Sequence, residues 1–199
     1  MGNFTFIRAA SRLAIPIWAA ALLLVSASLM VGHWVNLPHP EIGQDFEYAS
    51  QVSNVAHSDR QVFAFHFLYG DCPCSRRVLK HVMKRMPVDG AVERVVLIGE
   101  DKAMEDLALT QGYQVDVVTP IELKEKYGVE SAPLLIVTNN AGEIKYSGGY
   151  TSRKRGLDIQ DHQIIQDTLE GNEVAGLPLY GCAVSKSLKA IVDPLNIKY

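Results

Sequence analysis

The sequence predicts an α/β protein with a mixed central sheet flanked by helices. Apolar segments with the composition of strands alternate along the chain with amphipathic segments of helical periodicity. A proline-led apolar segment late in the chain runs into a hairpin, which adds antiparallel strands to the sheet. The chain has 199 residues, of which 48% are hydrophobic and 21% charged, so it is long enough to bury one substantial core.

The N-terminal segment differs from the rest of the chain in being long, apolar and uncharged. Leu13 to Val31 contains no charged residue, and Arg8 and Arg12 precede it. At ~1.5 Å per residue this segment is long enough to cross a hydrocarbon core of ~30 Å. The positive flank then predicts residues 1–12 in the cytoplasm, a single-pass transmembrane anchor over residues 13–35, and a globular domain outside.

A cleaved signal peptide is the alternative to the anchor, because the small residues from Ser26 to Ser28 offer an imperfect cleavage site. Both alternatives export the domain to an oxidising compartment. Three cysteines are too few for a disulfide framework in a chain of this size, so we expect them to take part in chemistry. The net charge of -3 gives no basis for nucleic-acid binding.

The first half of the exported part begins with a weak strand and then a strong one. Phe46 to Val52 alternates weakly and is predicted as an edge strand. Gln61 to Leu68 is apolar on both faces, which predicts a central strand covered by helices. A helix then begins at Cys74 or Ser75 and continues until Pro87 closes it. The predicted boundaries are residues 36–45 for a linker, 46–171 for the globular domain and 172–199 for a C-terminal tail packed on that domain.

The second half contains further strands and helices in alternation. A glycine at position 128 suits the C-cap of a helix, and Asn139 to Gly142 suits the turn of a hairpin. The predicted helices are Asp101 to Gln111, Pro120 to Tyr127 and Asp158 to Glu170. The predicted strands are Val92 to Ile98, Gln114 to Val118, Leu134 to Val137 and Glu143 to Tyr146.

Two cysteines flank a single proline where the predicted central strand gives way to a helix. In a fully extended segment Cys72 and Cys74 would lie too far apart for a disulfide, because a disulfide needs Cα atoms about 4.4 to 6.8 Å apart and two extended residues span ~6.6 to 7.2 Å, so the segment must bend. Pro73 fixes its own φ and pre-sets part of the bend. We therefore expect a redox-active, easily reduced disulfide, since a helix N-terminus also favours the thiolate.

The order of these motifs resembles the thioredoxin superfamily, and more closely its membrane-anchored periplasmic branch, the TlpA-like or redoxin-like proteins. The matching segments are Phe63-Ala-Phe-His-Phe-Leu-Tyr-Gly-Asp-Cys-Pro-Cys74, Lys126-Tyr-Gly-Val-Glu-Ser-Ala-Pro133 and the hairpin Asn139 to Tyr146. The tail segment Tyr180-Gly-Cys-Ala-Val-Ser185 is a weaker match to a glycine-cysteine ending. The spacing departs from the family pattern, which places two residues rather than one between the cysteines.

The resemblance implies a thioredoxin-like fold and a thiol-disulfide oxidoreductase that needs no cofactor. It implies a bacterial inner-membrane protein whose domain lies in the periplasm, with exported thiol or disulfide proteins and a redox donor or acceptor as partners. By analogy Cys72 attacks and Cys74 resolves, and His66 serves as proton acceptor unless it is simply a hydrogen-bonded core residue. Pro133 is then a cis-proline, and the backbone of Ala132 before it pairs with bound substrate.

Two interpretations of individual residues remain open. Cys182 is a third redox thiol or a small apolar residue packed in the tail. The alternative function is a Cu(I)-binding assembly factor of the Sco type, with Cys72, Cys74 and His66 as ligands, since soft thiolates and an imidazole favour that ion. Against this alternative, Sco-type proteins separate their cysteines by three residues.

Overall fold

The computed structural model describes residues 14–27, 30, 36–47, 62–154 and 156–194. The strands are β1 (Val62–Tyr69), β2 (Ala91–Ile98), β3 (Gln114–Val118), β4 (Ser131–Ala132), β5 (Leu134–Thr138), β6 (Ile144–Gly148) and β7 (Cys182–Ala183). The helices that follow residue 62 are α1 (Pro73–Val82), α2 (Lys102–Thr110), α3 (Pro120–Tyr127), α4 (Asp161–Leu169) and α5 (Lys186–Val192).

The main sheet has five strands in the order β3-β2-β1-β5-β6. Strands β1, β2 and β3 run parallel, whereas β5 is antiparallel to both β1 and β6. A separate two-stranded sheet pairs β4 with β7. The prediction of an α/β fold with a mixed central sheet flanked by helices is confirmed.

Strand β1 lies at the centre of the sheet because its sequence is apolar on both faces. Phe65 and Phe67 point to one face, where the Phe46 ring lies 5.8 and 6.0 Å from theirs, centroid to centroid. On the other face Ala64 and Leu68 join the core with buried residues of α1 and α4. Each buried aromatic or aliphatic side chain contributes roughly 1.5–3 kcal/mol, so this strand holds both layers of the fold together.

Helix α1 begins one residue earlier than the sequence predicts. Pro73 is its first residue and Cys72 its N-cap, because a proline at that position gives up no hydrogen bond and already has a helical φ. The helix ends at Val82 rather than at Met86. Helix α3 matches its predicted bounds, and Gly128 caps it with a φ of +65°.

Residues 36–47 differ from the predicted linker and edge strand. Leu37 and Phe46 are buried in the core, and the Leu37 amide donates to the Leu179 carbonyl at 3.3 Å. Asp45 forms an isolated bridge with Glu143. The segment therefore packs on the domain, because its apolar residues find partners there. Of the predicted edge strand, residues 48–52 lie outside the described residues.

The predicted anchor falls partly within the described residues. Residues 14–27 are helical, whereas residues 28–29 and 31–35 lie outside the described part of the chain. Across the described residues, no helix combines the length and the apolarity that a membrane crossing requires.

The C-terminal tail packs closely against β6 and the loop that follows it. The Gly149 amide donates to the Leu177 carbonyl at 2.9 Å, and Leu179 is fully buried. A Cβ atom on Gly149 would lie 2.2 Å from the Pro178 carbonyl oxygen, so a larger residue would push the tail away. The tail leads into β7 and α5, neither of which the sequence predicts.

Candidate active site

The turn between β1 and α1 places two cysteines at the carboxyl end of the central strand. The Cys72 amide donates to the Tyr69 carbonyl at 3.0 Å, which closes the turn. The Arg76 Nε donates to the Gly70 carbonyl at 2.6 Å and holds the turn from the helix side. A Cβ atom on Gly70 would lie 2.7 Å from a carboxylate oxygen of Asp101, so glycine is needed for this close approach.

The structure brings all three cysteines of the chain to this turn, and none of them forms a disulfide. Cys72 has 0% of its surface exposed, whereas Cys74 and Cys182 are partly exposed. The Cys72 thiol donates to the Ala132 carbonyl at 3.7 Å, and Ala132 is the antiparallel partner of Cys182 in the β4–β7 pair. We call Cys72, Cys74 and Cys182 the three-thiol cluster.

The pKa of the Cys72 thiol is raised rather than lowered. The largest cause is its hydrogen-bonding interaction with Cys182, and burial adds to it. The interaction with Cys74 and the Ser75 backbone amide at the start of α1 lower the pKa but do not compensate. The N-terminus of α1 therefore lowers the pKa of Cys72 as expected, but the opposite effect of the Cys182 thiol is larger.

The pKa of the Cys74 thiol is raised well above its ordinary value. Interaction with the Cys72 thiol is the largest cause, followed by burial and the charge of Cys72. The positive charges of Arg77 and Lys154 oppose this shift. The order in which the two thiols ionise follows from their proximity. Once Cys72 carries a negative charge, Cys74 keeps its proton and donates it to the Cys72 sulfur in a hydrogen bond. Cys72 is therefore the more readily ionised of this pair.

The peptide bond between Ala132 and Pro133 is cis, and this segment faces Cys72. The backbone of Ala132, predicted to pair with a bound substrate, pairs here with Cys182 of the tail. The tail approaches so closely that a Cβ atom on Gly181 would lie 2.0 Å from the Ala132 carbonyl oxygen. The chain's own tail thus occupies the edge predicted for substrate.

His66 lies in a buried cluster of charged residues. Both of its ring nitrogens contact residues of this cluster or Tyr150, and neither contacts a thiol. Its Nε2 donates to the Glu93 carboxylate at 2.9 Å, and its Nδ1 lies 3.0 Å from the Tyr150 hydroxyl. Arg85 donates to both Glu93 oxygens at 2.8 Å and also to Asp161. We call Arg85, Glu93, Asp161 and His66 the buried charge cluster.

The Glu93 carboxylate of this cluster is strongly stabilised in its charged form. Burial by itself would raise the pKa of Glu93, but hydrogen bonds from His66 and Arg85 and their charges lower it to about 2. The same contacts raise the pKa of Arg85. The proton-acceptor role predicted for His66 stays a prediction, since its present hydrogen bonds go to Tyr150 and Glu93.

The alternative Cu(I) site predicted from Cys72, Cys74 and His66 is not assembled in this arrangement. Both His66 nitrogens are engaged by other residues. Among the residues that the structure describes, no group of three or more His, Cys, Asp or Glu side chains is placed to hold a metal ion.

The residues that sequence reasoning missed belong to the surroundings of the predicted site. Glu93 could have been found from its position as a charge inside an apolar strand, because a buried carboxylate needs partners. Gly181, which lets the tail approach Ala132, had a weaker signal in its position before Cys182. Arg85, Asp161 and Tyr150 carried no signal, since their meeting depends on the folded chain.

Comparisons with known proteins identify the fold but no family. No protein-family model and no curated protein matches the chain. A hypothetical protein from Sinorhizobium meliloti aligns with a TM-score of 0.53 at 14% identity, covering 75% of this chain and 95% of the other. An uncharacterised conserved protein from Geobacillus kaustophilus aligns with a TM-score of 0.54 at 16% identity, covering 76% and 97%.

A weaker likeness is to the thioredoxin domain of a thiol-disulfide oxidoreductase from Bacteroides vulgatus. Its TM-score is 0.41 at 12% identity, covering 56% of this chain and 81% of that domain, which is too low to carry an argument about this chain. The fold follows instead from the architecture. The strand order, the cysteine pair after the central strand and the cis-proline facing it together are those of a thioredoxin-like fold.

Proposed function

We propose that the protein is a thiol-disulfide oxidoreductase that uses Cys72 and Cys74 on exported protein or small-thiol substrates. One observation carries this proposal: the Cys72 thiol sits at the N-cap of α1, 3.7 Å from the Ala132 carbonyl beside a cis-proline. Small turns between a strand and a helix have no packing reason to hold two cysteines. Reversible disulfide formation is the chemistry that two adjacent thiols most directly support.

The proposed reaction in the reducing direction starts from the Cys72 thiolate. It attacks one sulfur of a substrate disulfide, so that a mixed disulfide forms and the other substrate sulfur leaves as a thiolate. Cys74 then loses its proton and attacks the Cys72 sulfur, which releases the second substrate thiolate and leaves a Cys72–Cys74 disulfide. The oxidising direction is the reverse of these two steps. Because Cys72 is fully buried, a substrate reaches it only when the tail moves off β4.

We further propose that the domain works outside the cytoplasm, held to the membrane by the N-terminal segment. The support is the sequence: an uncharged apolar segment preceded by Arg8 and Arg12. An oxidising compartment is also where a protein disulfide has physiological partners. Fractionation of cells that express the full-length chain tests this, and recovery of the protein in the soluble cytoplasmic fraction would contradict it.

Trapping a reaction intermediate tests the enzymatic proposal. We expect Cys74→Ser, placed in the background Cys182→Ser, to accumulate mixed disulfides through Cys72 with glutathione or exported proteins. The matched variant Cys72→Ser in the same background should trap far less. The proposal fails when neither variant forms an adduct although the protein remains folded.

A redox titration of the Cys72–Cys74 pair distinguishes the direction of the reaction. With Cys182 replaced by serine, a potential well above the ~-270 mV of thioredoxin indicates an oxidant or isomerase, and one at or below it indicates a reductant.

A further inference from the structure

Cys182 is held beside Cys72 by a strand pair that spans fifty residues of sequence. Strand β7 pairs with β4 so that Cys182 stands opposite Ala132. The carbonyl of that same Ala132 accepts the Cys72 thiol hydrogen bond. The tail approaches this surface so closely that a Cβ atom on Gly181 would also lie 2.8 Å from Pro133.

Further contacts fix the register of the tail just after Cys182. The Val184 amide donates to the Glu130 carbonyl at 2.7 Å, and the Ser185 hydroxyl donates to the Glu130 carboxylate. Lys124 forms an ion pair with the same carboxylate at 3.1 Å. These contacts anchor the strand on the side of Cys182 away from Gly181, so the thiol is positioned by the fold.

Cys182 and Cys72 also interact electrostatically. Hydrogen bonding with Cys182 is the largest cause of the raised pKa of Cys72, and the charge of Cys182 adds to it, so the two thiols interact directly. The charges of Cys182 and Cys72 also contribute to raising the pKa of Tyr69, so the two thiols share one environment.

We propose that Cys182 is a second disulfide partner of Cys72, so that Cys72 exchanges its disulfide between Cys74 and Cys182. This inference rests on the proposed oxidoreductase function and adds a residue to its site. The Cys182 thiolate attacks the Cys72 sulfur of the Cys72–Cys74 disulfide. The Cys72–Cys182 bond forms, the Cys72–Cys74 bond breaks, and Cys74 leaves as a thiolate that takes up a proton. Both disulfides are at the same oxidation level, so the step needs no oxidant.

This exchange solves a problem of access. Cys72 is fully buried, whereas Cys74 and Cys182 are both partly exposed. While the tail is paired with β4, an external thiol can attack the exposed sulfur of either disulfide, whereas reaction at Cys72 requires the tail to move. The site therefore offers two exposed sulfurs, on the α1 side and on the tail side, joined through one buried thiol.

Disulfide mapping of the full-length protein tests the inference. Protein equilibrated with oxidised glutathione is quenched with acid, alkylated and digested with trypsin without reductant. Trypsin cuts after Arg60, Arg76, Arg155 and Lys186, so a Cys72–Cys182 bond joins two peptides whereas a Cys72–Cys74 bond stays within one. We expect Cys74→Ser to yield the linked peptides, Cys182→Ser to yield only the internal disulfide, and the wild type to yield both.

Gly181→Ala separates the role of the tail from that of the sulfur. The added methyl group cannot fit against Ala132, so the yield of the Cys72–Cys182 bond should fall at least about tenfold, equivalent to ~1.4 kcal/mol. The Cys72–Cys74 bond should remain, and alkylation of reduced Cys72 should become faster. The control Glu173→Ala changes an exposed residue of the same tail and should alter neither result.

The possible outcomes distinguish the two proposals. Absence of linked peptides in Cys74→Ser, with the internal disulfide intact in Cys182→Ser, overturns this inference and leaves the proposed function standing. Linked peptides in Cys74→Ser without an internal disulfide in Cys182→Ser overturn both the Cys72–Cys74 dithiol and the exchange, since Cys72 then pairs with Cys182 alone. Absence of both overturns both.

Discussion

Replacing Glu93 by glutamine should make the protein less stable at neutral pH and less sensitive to acid. The Glu93 carboxylate is fully buried and accepts hydrogen bonds from His66, from two nitrogens of Arg85 and from the Val88 amide at 2.6 Å. A neutral amide cannot replace it, because its NH₂ group would face donors. Breaking one side of a buried ion pair of this kind typically costs ~3–5 kcal/mol.

The pKa of Glu93 gives a second, independent estimate of this effect. Its lowering from the ordinary 4.5 to about 2 corresponds to about 3 kcal/mol of folding free energy at neutral pH. Since the folded-state pKa lies below the unfolded one, the folded protein binds fewer protons. The stabilisation is therefore complete above about pH 4.5 and is lost as the pH falls through about 2.

Urea unfolding at pH 7 and at pH 3 measures both effects. We expect Glu93→Gln to lower the free energy of unfolding by about 3 kcal/mol at pH 7, and the gap to the wild type to shrink to roughly half at pH 3. The control Glu125→Gln, an exposed glutamate of α3, should change neither value by more than ~0.5 kcal/mol. A gap that is equal at the two pH values would refute the assignment of the stabilisation to an ionised Glu93.

Two further substitutions test the surroundings of the thiols. Gly70→Ala brings a methyl group to within 2.7 Å of the Asp101 carboxylate, which also caps α2 through the Met104 amide. We therefore expect the free energy of unfolding to fall by about 1–3 kcal/mol, measured by thermal unfolding. Retention of wild-type stability would show that the turn and the Asp101 cap can shift without loss of stability. Tyr150→Phe removes the hydroxyl beside His66 Nδ1 and leaves a buried polar atom unsatisfied, at a cost of about 1–3 kcal/mol by urea unfolding. Tyr146→Phe is its comparison, since that hydroxyl instead donates to the Gly149 carbonyl at 2.5 Å and leaves His66 untouched. An unchanged free energy of unfolding in Tyr150→Phe would show that the hydroxyl does not stabilise the buried imidazole.

The elements with strong periodic patterns could be predicted from the sequence. Strand β1 is apolar on both faces, β3 has the predicted bounds, and α3 has a proline at its first position and a glycine at its end. These signals are local, since a few consecutive residues determine the preferred backbone. Helix α1 starts one residue before the predicted Cys74, because the fixed φ of Pro73 suits the first helical position.

The rest of the site depends on contacts between distant residues and had little local signal. Strand β7 has only two residues and exists because β4 is there to pair with it, so no periodicity indicates it. The sequence does not decide between the two interpretations of Cys182 for the same reason, since its neighbours come from a distant segment. Arg85 lies past the end of α1 and reaches two acids on different elements, a meeting that only the fold brings about.

The burial of Cys72 changes how the shortened spacing of the two cysteines is understood. A dithiol that acted alone would need its attacking thiol exposed, but here the tail covers Cys72 and presents Cys182 to it. With a single residue between Cys72 and Cys74, that pair has little freedom to adjust when the redox state changes. Cys182 enters from a separate strand, and the close approach of that strand to Ala132 depends on Gly181. On the proposed exchange, the long-range pairing with Cys182 depends on the tail, so substitution at Gly181 should affect access to Cys72 before it affects the Cys72–Cys74 disulfide.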